Sequence, residues 1–265
     1  QSKIPLKQDY LVDITDYSST YEIISTFKPD VIFHLAAQPL VTLSQSNPRK
    51  TILDNVYGTT NVLDAAFRSG IPNIINVTTD KVYENNEWLW AYRENEKLGG
   101  HDPYSASKAC AELVSHSYIK SYFGQNGPRL ATARAGNVIG GGDMSENRLV
   151  PDFLRAFKKN ETLSLRNPKA SRPWQHVLDP VFGYITLAEK LGSLDGEKYI
   201  GSWNFGPEIE DTKTVNEVID LGRKLEFVGE VLFEESSMIE AKSLQLNITK
   251  AKQKLPFNPV WNSEQ

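Results

Sequence analysis

The chain has 265 residues, with 29 Lys and Arg against 33 Asp and Glu and a net charge of −4. That balance offers no global basic field to nucleic acid or an anionic membrane, and no apolar run is long enough to span a bilayer. A single cysteine, Cys110, excludes an internal disulfide and points to a reducing compartment.

The length suits one large α/β unit or two small domains. Gln1 to Pro5 carry neither the apolar core of a signal peptide nor an initiator Met, so the chain reads as cytosolic and as a fragment. In chain order, Asp30 to Leu35 is a continuous apolar run, the mark of a strand buried on both faces. Pro48 to Arg68 has helical spacing, with Asn47 as N-cap, Pro48 at the first position and Gly70 as the stop. Asn73 to Val77 reads as a second buried strand, Pro103 to Tyr122 as a long helix and Leu130 to Ala135 as a third strand. This alternation predicts βαβ units and a parallel sheet covered on both sides. Beyond Gly142 the pattern loosens. Helices are expected over Leu149 to Lys159 and Asp179 to Leu191, a short strand over Thr162 to Leu165 and a strand end at Trp203 to Gly206. Short helices and strands follow around Val231 to Phe233 and Leu244 to Ile248. This half reads as a smaller substrate-binding portion beside the sheet, with more than one chain crossing between the two.

In open α/β sheets ligands sit at the carboxyl ends of the strands. Ala36-Ala37-Gln38, Thr78-Thr79-Asp80-Lys81 and Gly136-Asn137-Val138 all fall there. Tyr104 and Lys108 lie four apart in the first turns of a helix and share one face. A phenol titrates near 10, too high for a neutral-pH base; a neighbouring ammonium and a cationic nicotinamide would both favour the phenolate. Such a tyrosine can take a proton from a sugar hydroxyl. The pattern Tyr-x-x-x-Lys alone also describes an ordinary helical surface pair. Thr79 fits a hydrogen-bonding role at the same hydroxyl, or simply a strand cap. Asp80 and Lys81 are a solvated turn or an acid and a base. Gly136 to Asp143 (GNVIGGGD) lacks the position and spacing of a dinucleotide fingerprint and reads as a flexible loop near substrate. The scattered His34, His101, His116 and His176 have no metal-ligand spacing, so no metal site is expected.

Together HLAAQPLV, Asn55 to Thr59, TTDKVYEN, EWLWAYREN, DPYSASKACAELV, ARAGNVIGGGD and RPWQHVLDP resemble the extended short-chain dehydrogenase/reductase (NAD-dependent epimerase/dehydratase) family along essentially the whole chain. The resemblance implies an α/β fold with a doubly wound, parallel Rossmann-type sheet and a smaller C-terminal substrate domain. The boundaries it implies are 1–147 for NAD and 148–265 mainly for sugar nucleotide, with about 174–206 returning to the Rossmann part. The family's first strand and glycine-rich turn, roughly the first fifth of such a protein, are not in this sequence; if they are truly missing, the fragment, not the gene product, is expected to hold NAD poorly.

The implied activity is that of a sugar-nucleotide 4,6-dehydratase with CDP-glucose as substrate. Tyr104 would be the base at the 4-hydroxyl, with Thr79 and Lys108 assisting. Asp80 would be the acid and Lys81 the candidate base for elimination, because related dehydratases carry Asp-Glu there; Lys81 could instead orient the enol electrostatically. By motif, NAD would meet Asp13, Ile14, Ala36, Ala37, Gln38, Asn55, Thr78, Tyr104 and Lys108. The sugar nucleotide would meet Asn137, Arg148, Leu149 and Arg172, the arginines either on the diphosphate or in surface ion pairs. A cytoplasmic homodimer through a four-helix bundle is expected, without nucleic acid or membrane partners. A 4-epimerase on the same scaffold needs no acid/base pair for elimination, so Asp80-Lys81 argues against it. A non-catalytic NAD-sensing protein would not need Thr79, Tyr104 and Lys108 intact.

Overall fold

A computed structural model describes residues 8–123, 127–165, 167–224, 230–233 and 243–263. It opens with helix α1 (Tyr17–Phe27), capped by Asp16, whose carboxylate accepts from the Ser19 N–H; the sequence reading contained no such helix. Strand β1 (Val31–His34) and helix α2 (Val41–Ser46) follow. The helix expected over Pro48 to Arg68 is three pieces: α3 (Pro48–Ile52), a π-helical turn (Leu53–Tyr57) and α4 (Gly58–Arg68). It starts as expected, with Pro48 in the first turn and the Asn47 side chain accepting from the Lys50 N–H. It ends at Gly70, whose φ of +69° is left-handed backbone that glycine adopts without a Cβ clash. The wide turn has a local cause. Asn55 lies in it, 1% exposed, and its amide nitrogen donates to the Gln38 carbonyl (3.0 Å) and to Ser107 Oγ (2.8 Å). Single π turns of this kind recur at functional sites.

Strand β2 (Asn73–Val77) matches its prediction residue for residue, and a 3₁₀ turn (Asp80–Val82) follows. Helix α5 (Pro103–Ser121) is started by Asp102, which accepts from the Ser105 N–H and hydroxyl, with Pro103 in the first turn. Next come β3 (Arg129–Ala135), β4 (Val138–Ile139), α6 (Leu149–Lys159), β5 (Leu163–Leu165), β6 (Ser171–Arg172) and β7 (Gln175–His176). The remainder is α7 (Leu178–Leu191), β8 (Gly201–Phe205), β9 (Lys213–Thr214), α8 (Val215–Arg223), β10 (Val231–Phe233) and α9 (Thr249–Lys254). The stretch Leu244 to Ile248 joins the fold through an isolated bridge from Leu246 to Tyr92. The parts of the last fifty residues at 225–229, 234–242 and 264–265 lie outside the described residues.

The main sheet has the order β1-β2-β3-β8, with every pairing parallel. Alternate residues point to opposite faces. Ile74 and Leu130 pack with Leu63, Ala66 and Phe123 from the α4 and α5 side. Ile75, Ala131 and Ala133 pack with Leu187, Leu191, Trp203 and Phe205 on the α7 side. A separate small core joins Ala156, Leu163, Leu165 and Ile219 from α6, β5 and α8. One expectation is corrected here. The segment Gly136 to Asp143 is not simply a flexible loop: Val138–Ile139 pairs with Gln175–His176 as a parallel strand. A Cβ at Gly136 would come within 2.4 Å of Pro173, and one at Gly140 within 2.7 Å of Val177. These two glycines permit close packing.

Candidate active site

A cleft of about 590 Å³ opens at the carboxyl ends of β2 and β3. Its wall includes Thr78, Thr79, Asp80, Lys81, Tyr104, Asn137, Arg148, Leu149 and Arg172, which sequence reasoning had drawn from five separate segments. Lys81 is half-buried and also borders a second cavity of about 350 Å³. Lys108 stands behind the cleft, 6% exposed, its ammonium donating to the Val77 carbonyl at 3.1 Å.

Thr79 is the hinge of this geometry. Its extended backbone ends the strand, and its hydroxyl donates to Asp80 Oδ1 at 3.0 Å and also bonds the Tyr104 phenol. Asp80 is 2% exposed and its Oδ2 has no partner. Burial pushes its carboxyl above the usual range, against the pull of Lys81, Thr79 and Arg172. A buried carboxyl of this kind favours the protonated, donating form. Burial also pushes the Tyr104 phenol up to about 12, with the Thr79 hydrogen bond and Arg148 opposing and Asp80 and Asp102 reinforcing. This departs from the expectation that Lys108 holds the phenol down. The reason is geometric: the ammonium is turned to the Val77 carbonyl. Burial lowers Lys108 itself to about 8, against the attraction of Glu112.

That lowering has a measurable consequence. A buried lysine whose pKa falls from 10.5 to about 8 destabilises the fold by about 3 kcal/mol. The penalty is complete below pH 8, shrinks as pH rises from 8 to 10.5, and is gone above that, where both states are neutral. Lys108→Met is therefore expected to raise the stability of the NAD-free protein at pH 7 in urea melts. The advantage should shrink through alkaline pH. A destabilised variant would overturn the assignment.

The proposed cofactor residues divide by position. Ala36 is exposed and Ala37 half-buried just past the end of β1, leaving backbone open to a ligand. Asp13 is exposed and accepts from the Thr15 N–H and hydroxyl. Ile14 packs against Gly58, where a Cβ would meet it at 2.5 Å. Gln38, Asn55 and Thr78 instead turn their side chains into the protein. The Gln38 amide donates to Thr51 Oγ1, Asn55 Oδ1 accepts from the Gln38 N–H, and the Thr78 hydroxyl donates to Glu112 Oε1. These three shape the rim from behind. An ammonium has three donors, and among the described residues Lys108 shows one hydrogen bond. Its remaining capacity, with the open backbone at Ala36 and Ala37, fits the ribose and phosphates of a dinucleotide.

Comparison with known proteins decides the class. The profile of the NAD dependent epimerase/dehydratase family matches residues 4–201. The chain belongs to that family. It is accordingly an enzyme fold that works with NAD. It is 45% identical to the CDP-glucose 4,6-dehydratase of Salmonella typhimurium over 97% of this chain and 73% of the relative. Two solved structures share the fold: a UDP-glucose 4-epimerase from Thermotoga maritima with UDP-glucose (TM-score 0.85, 24% identity, 96% of this chain and 80% of that one) and a double mutant of a dTDP-glucose 4,6-dehydratase from Streptomyces venezuelae with NAD bound (TM-score 0.80, 23% identity, 95% and 74%). No helix among the described residues is long and apolar enough to cross a membrane.

The sequence reading missed the layer directly behind the cleft. Glu112 and Arg134 are both fully buried and form a two-bonded pair, Nε to Oε1 at 2.9 Å and Nη2 to Oε2 at 2.8 Å. The signal was present: Glu112 lies eight residues after Tyr104 on the inward face of one helix, and Arg134 interrupts an apolar strand. Buried charges of this kind require a partner. His34, also behind the site, is buried against Thr59 (3.0 Å) and burial lowers it to about 3, so it stays neutral.

Proposed function

We propose that the protein dehydrates CDP-glucose to CDP-4-keto-6-deoxyglucose. The observation that carries this reading is the Thr79-Asp80-Lys81 turn beside Tyr104, supported by the identity to the Salmonella dehydratase. When bound, NAD supplies the two-electron acceptor and donor. Tyr104 takes the proton of the glucose 4-hydroxyl, with Thr79 holding that hydroxyl in line. Ketone formation at carbon 4 acidifies the carbon-5 proton. Lys81 removes that proton, or stabilises the enolate electrostatically. Asp80, whose carboxyl burial pushes above the usual range, donates to the departing 6-hydroxyl. Lys108 fixes the cofactor ribose from behind the phenol. Asp13, Ile14, Ala36, Ala37, Gln38, Asn55 and Thr78 form the cofactor side. Asn137, Arg148, Leu149 and Arg172 form the nucleotide-sugar side, where a guanidinium suits a diphosphate. The proposed division of the chain falls near residue 147, with about 174–206 returning to the sheet, and Asn137 then reaches the sugar nucleotide from the NAD part.

Incubation with CDP-glucose and NAD should yield a 4-keto-6-deoxy sugar, read by its alkaline ultraviolet absorbance and by the mass of the nucleotide product. Formation of the carbon-4 epimer, or turnover of another glucose nucleotide with none of CDP-glucose, would refute the assignment. We also propose a cytoplasmic homodimer. Exposed Leu43, Leu53, Tyr57 and Leu113 on α2, the π turn and α5 leave an apolar face of the kind that pairs across a two-fold axis. Light scattering should give twice the monomer mass; a monomer at micromolar concentration contradicts it.

A further inference from the structure

The turn that carries Thr79, Asp80 and Lys81 is weakly closed by its own backbone amides. The Lys81 N–H reaches Thr79 Oγ1 at 3.4 Å, the Val82 N–H reaches the Thr79 carbonyl at 3.4 Å, and the Tyr83 N–H reaches the Asp80 carbonyl at 3.5 Å. Such lengths lie beyond the usual range for amide hydrogen bonds. The residues on either side are held far better. Before the turn, the Thr78 hydroxyl donates to Glu112 Oε1 at 2.5 Å. After it, the Tyr83 hydroxyl accepts from Arg134 Nη1 at 2.8 Å and donates to Asn204 Oδ1 at 2.7 Å.

Both anchors lead to one ion pair. Glu112 sits on the same helix as Tyr104 and Lys108, and Arg134 on the strand beside β2. Arg134 places all five of its N–H donors: Nε and Nη2 on Glu112, Nη2 also on Ser202, and Nη1 on Tyr83 and the Glu94 carbonyl. A fully buried pair contributes little net stability compared with apolar residues of the same volume, and its best-attested use is to specify a unique arrangement. We propose that the Glu112–Arg134 pair is a positioning clamp: it grips Thr78 and Tyr83 on either side of the Thr79-Asp80-Lys81 turn and sets that turn against Tyr104 on the helix that bears Glu112. The placement of these groups relative to the sugar rests on the dehydratase reading above. The clamp itself is a property of the fold.

Tyr83→Phe and Thr78→Val each remove one grip and leave the ion pair in place. In the NAD-loaded enzyme each should lower kcat by about ten- to a hundredfold, the scale of a small misplacement of reacting groups, with KM for CDP-glucose within about twofold. Water loss should become the slow step, so quenched reactions should contain 4-keto-glucose nucleotide that the parent enzyme does not accumulate. Amide hydrogen exchange over residues 79–82 should quicken in both variants. Thr78→Ser, which restores the hydroxyl, should recover the parent rate and exchange. Variants that melt earlier yet keep the parent kcat and the parent exchange at residues 79–82 would overturn the clamp. If the parent enzyme leaves CDP-glucose unchanged, the dehydratase reading fails, and the exchange measurement still decides the clamp.

Discussion

Tyr104→Phe is expected to reduce kcat by about a thousandfold while the protein folds as before. General acid–base catalysis by a positioned group contributes roughly 10²–10⁴-fold, and the proposed mechanism gives the 4-hydroxyl to the phenol and carbon 5 to Lys81. Asp80 is engaged with the Thr79 hydroxyl and Lys108 with a carbonyl. The ring is 8% exposed and its hydroxyl meets only Thr79 among the described side chains. Deleting the hydroxyl leaves packing intact and removes a polar atom from a buried site. Product assays at saturating CDP-glucose, beside a thermal melt, check both halves of this statement. A phenylalanine variant that keeps more than about a tenth of the activity would remove Tyr104 from the role of base. Because burial pushes the phenol up to about 12, the phenolate fraction rises with pH, and the parent rate should rise from neutral toward alkaline pH until another group fails.

Arg134→Met should destabilise the molecule by about 3–5 kcal/mol. It leaves Glu112, fully buried, with hydroxyl partners from Thr78, Thr132 and Ser202 and the His116 ring at 3.7 Å, but without its guanidinium. The carboxylate now lies below its ordinary pKa range because Arg134 and those hydroxyls oppose its burial. Without the guanidinium its pKa must climb, and the loss should ease as pH falls far enough to protonate it. Replacing both partners, Glu112→Leu with Arg134→Met, should cost less than the single change, since no charge is then stranded. Urea melts of the three variants test the order. A double variant weaker than Arg134→Met would mean that the surrounding hydroxyls, rather than the charge, hold the layer together.

Much of this was legible one element at a time. The second strand was readable at both ends because Gly70-Ile71-Pro72 and Thr78-Thr79 bracket a short run built on Ile74, Ile75 and Val77. The catalytic helix announced its start through Asp102 and Pro103. What escaped depended on pairs distant in sequence. Glu112 and Arg134 are 22 residues apart and only the packing of α5 against β3 sets them face to face. The direction of the Lys108 ammonium was hidden for the same reason: Val77 is 31 residues away. Helix α1 was missed because Tyr17 to Phe27 mixes serines and threonines into its exposed face, leaving a single fully buried residue, Thr20. Roles for Asp13 and Ile14 came from resemblance alone, and the fold shows only where they lie.

The π turn at Leu53–Tyr57 amounts to one surplus residue in a helix. The two halves on either side of it serve different neighbours. Asn55 faces Ser107 and the loop after β1, while Gly58 and Asn61 face Ile14, the latter through its amide on the Ile14 carbonyl at 2.9 Å. Excising one residue here would restore an ordinary helix and turn everything beyond it by about 100°, carrying Gly58 and Asn61 away from Ile14. The segment is therefore closed to single-residue deletion even though it would gain regularity.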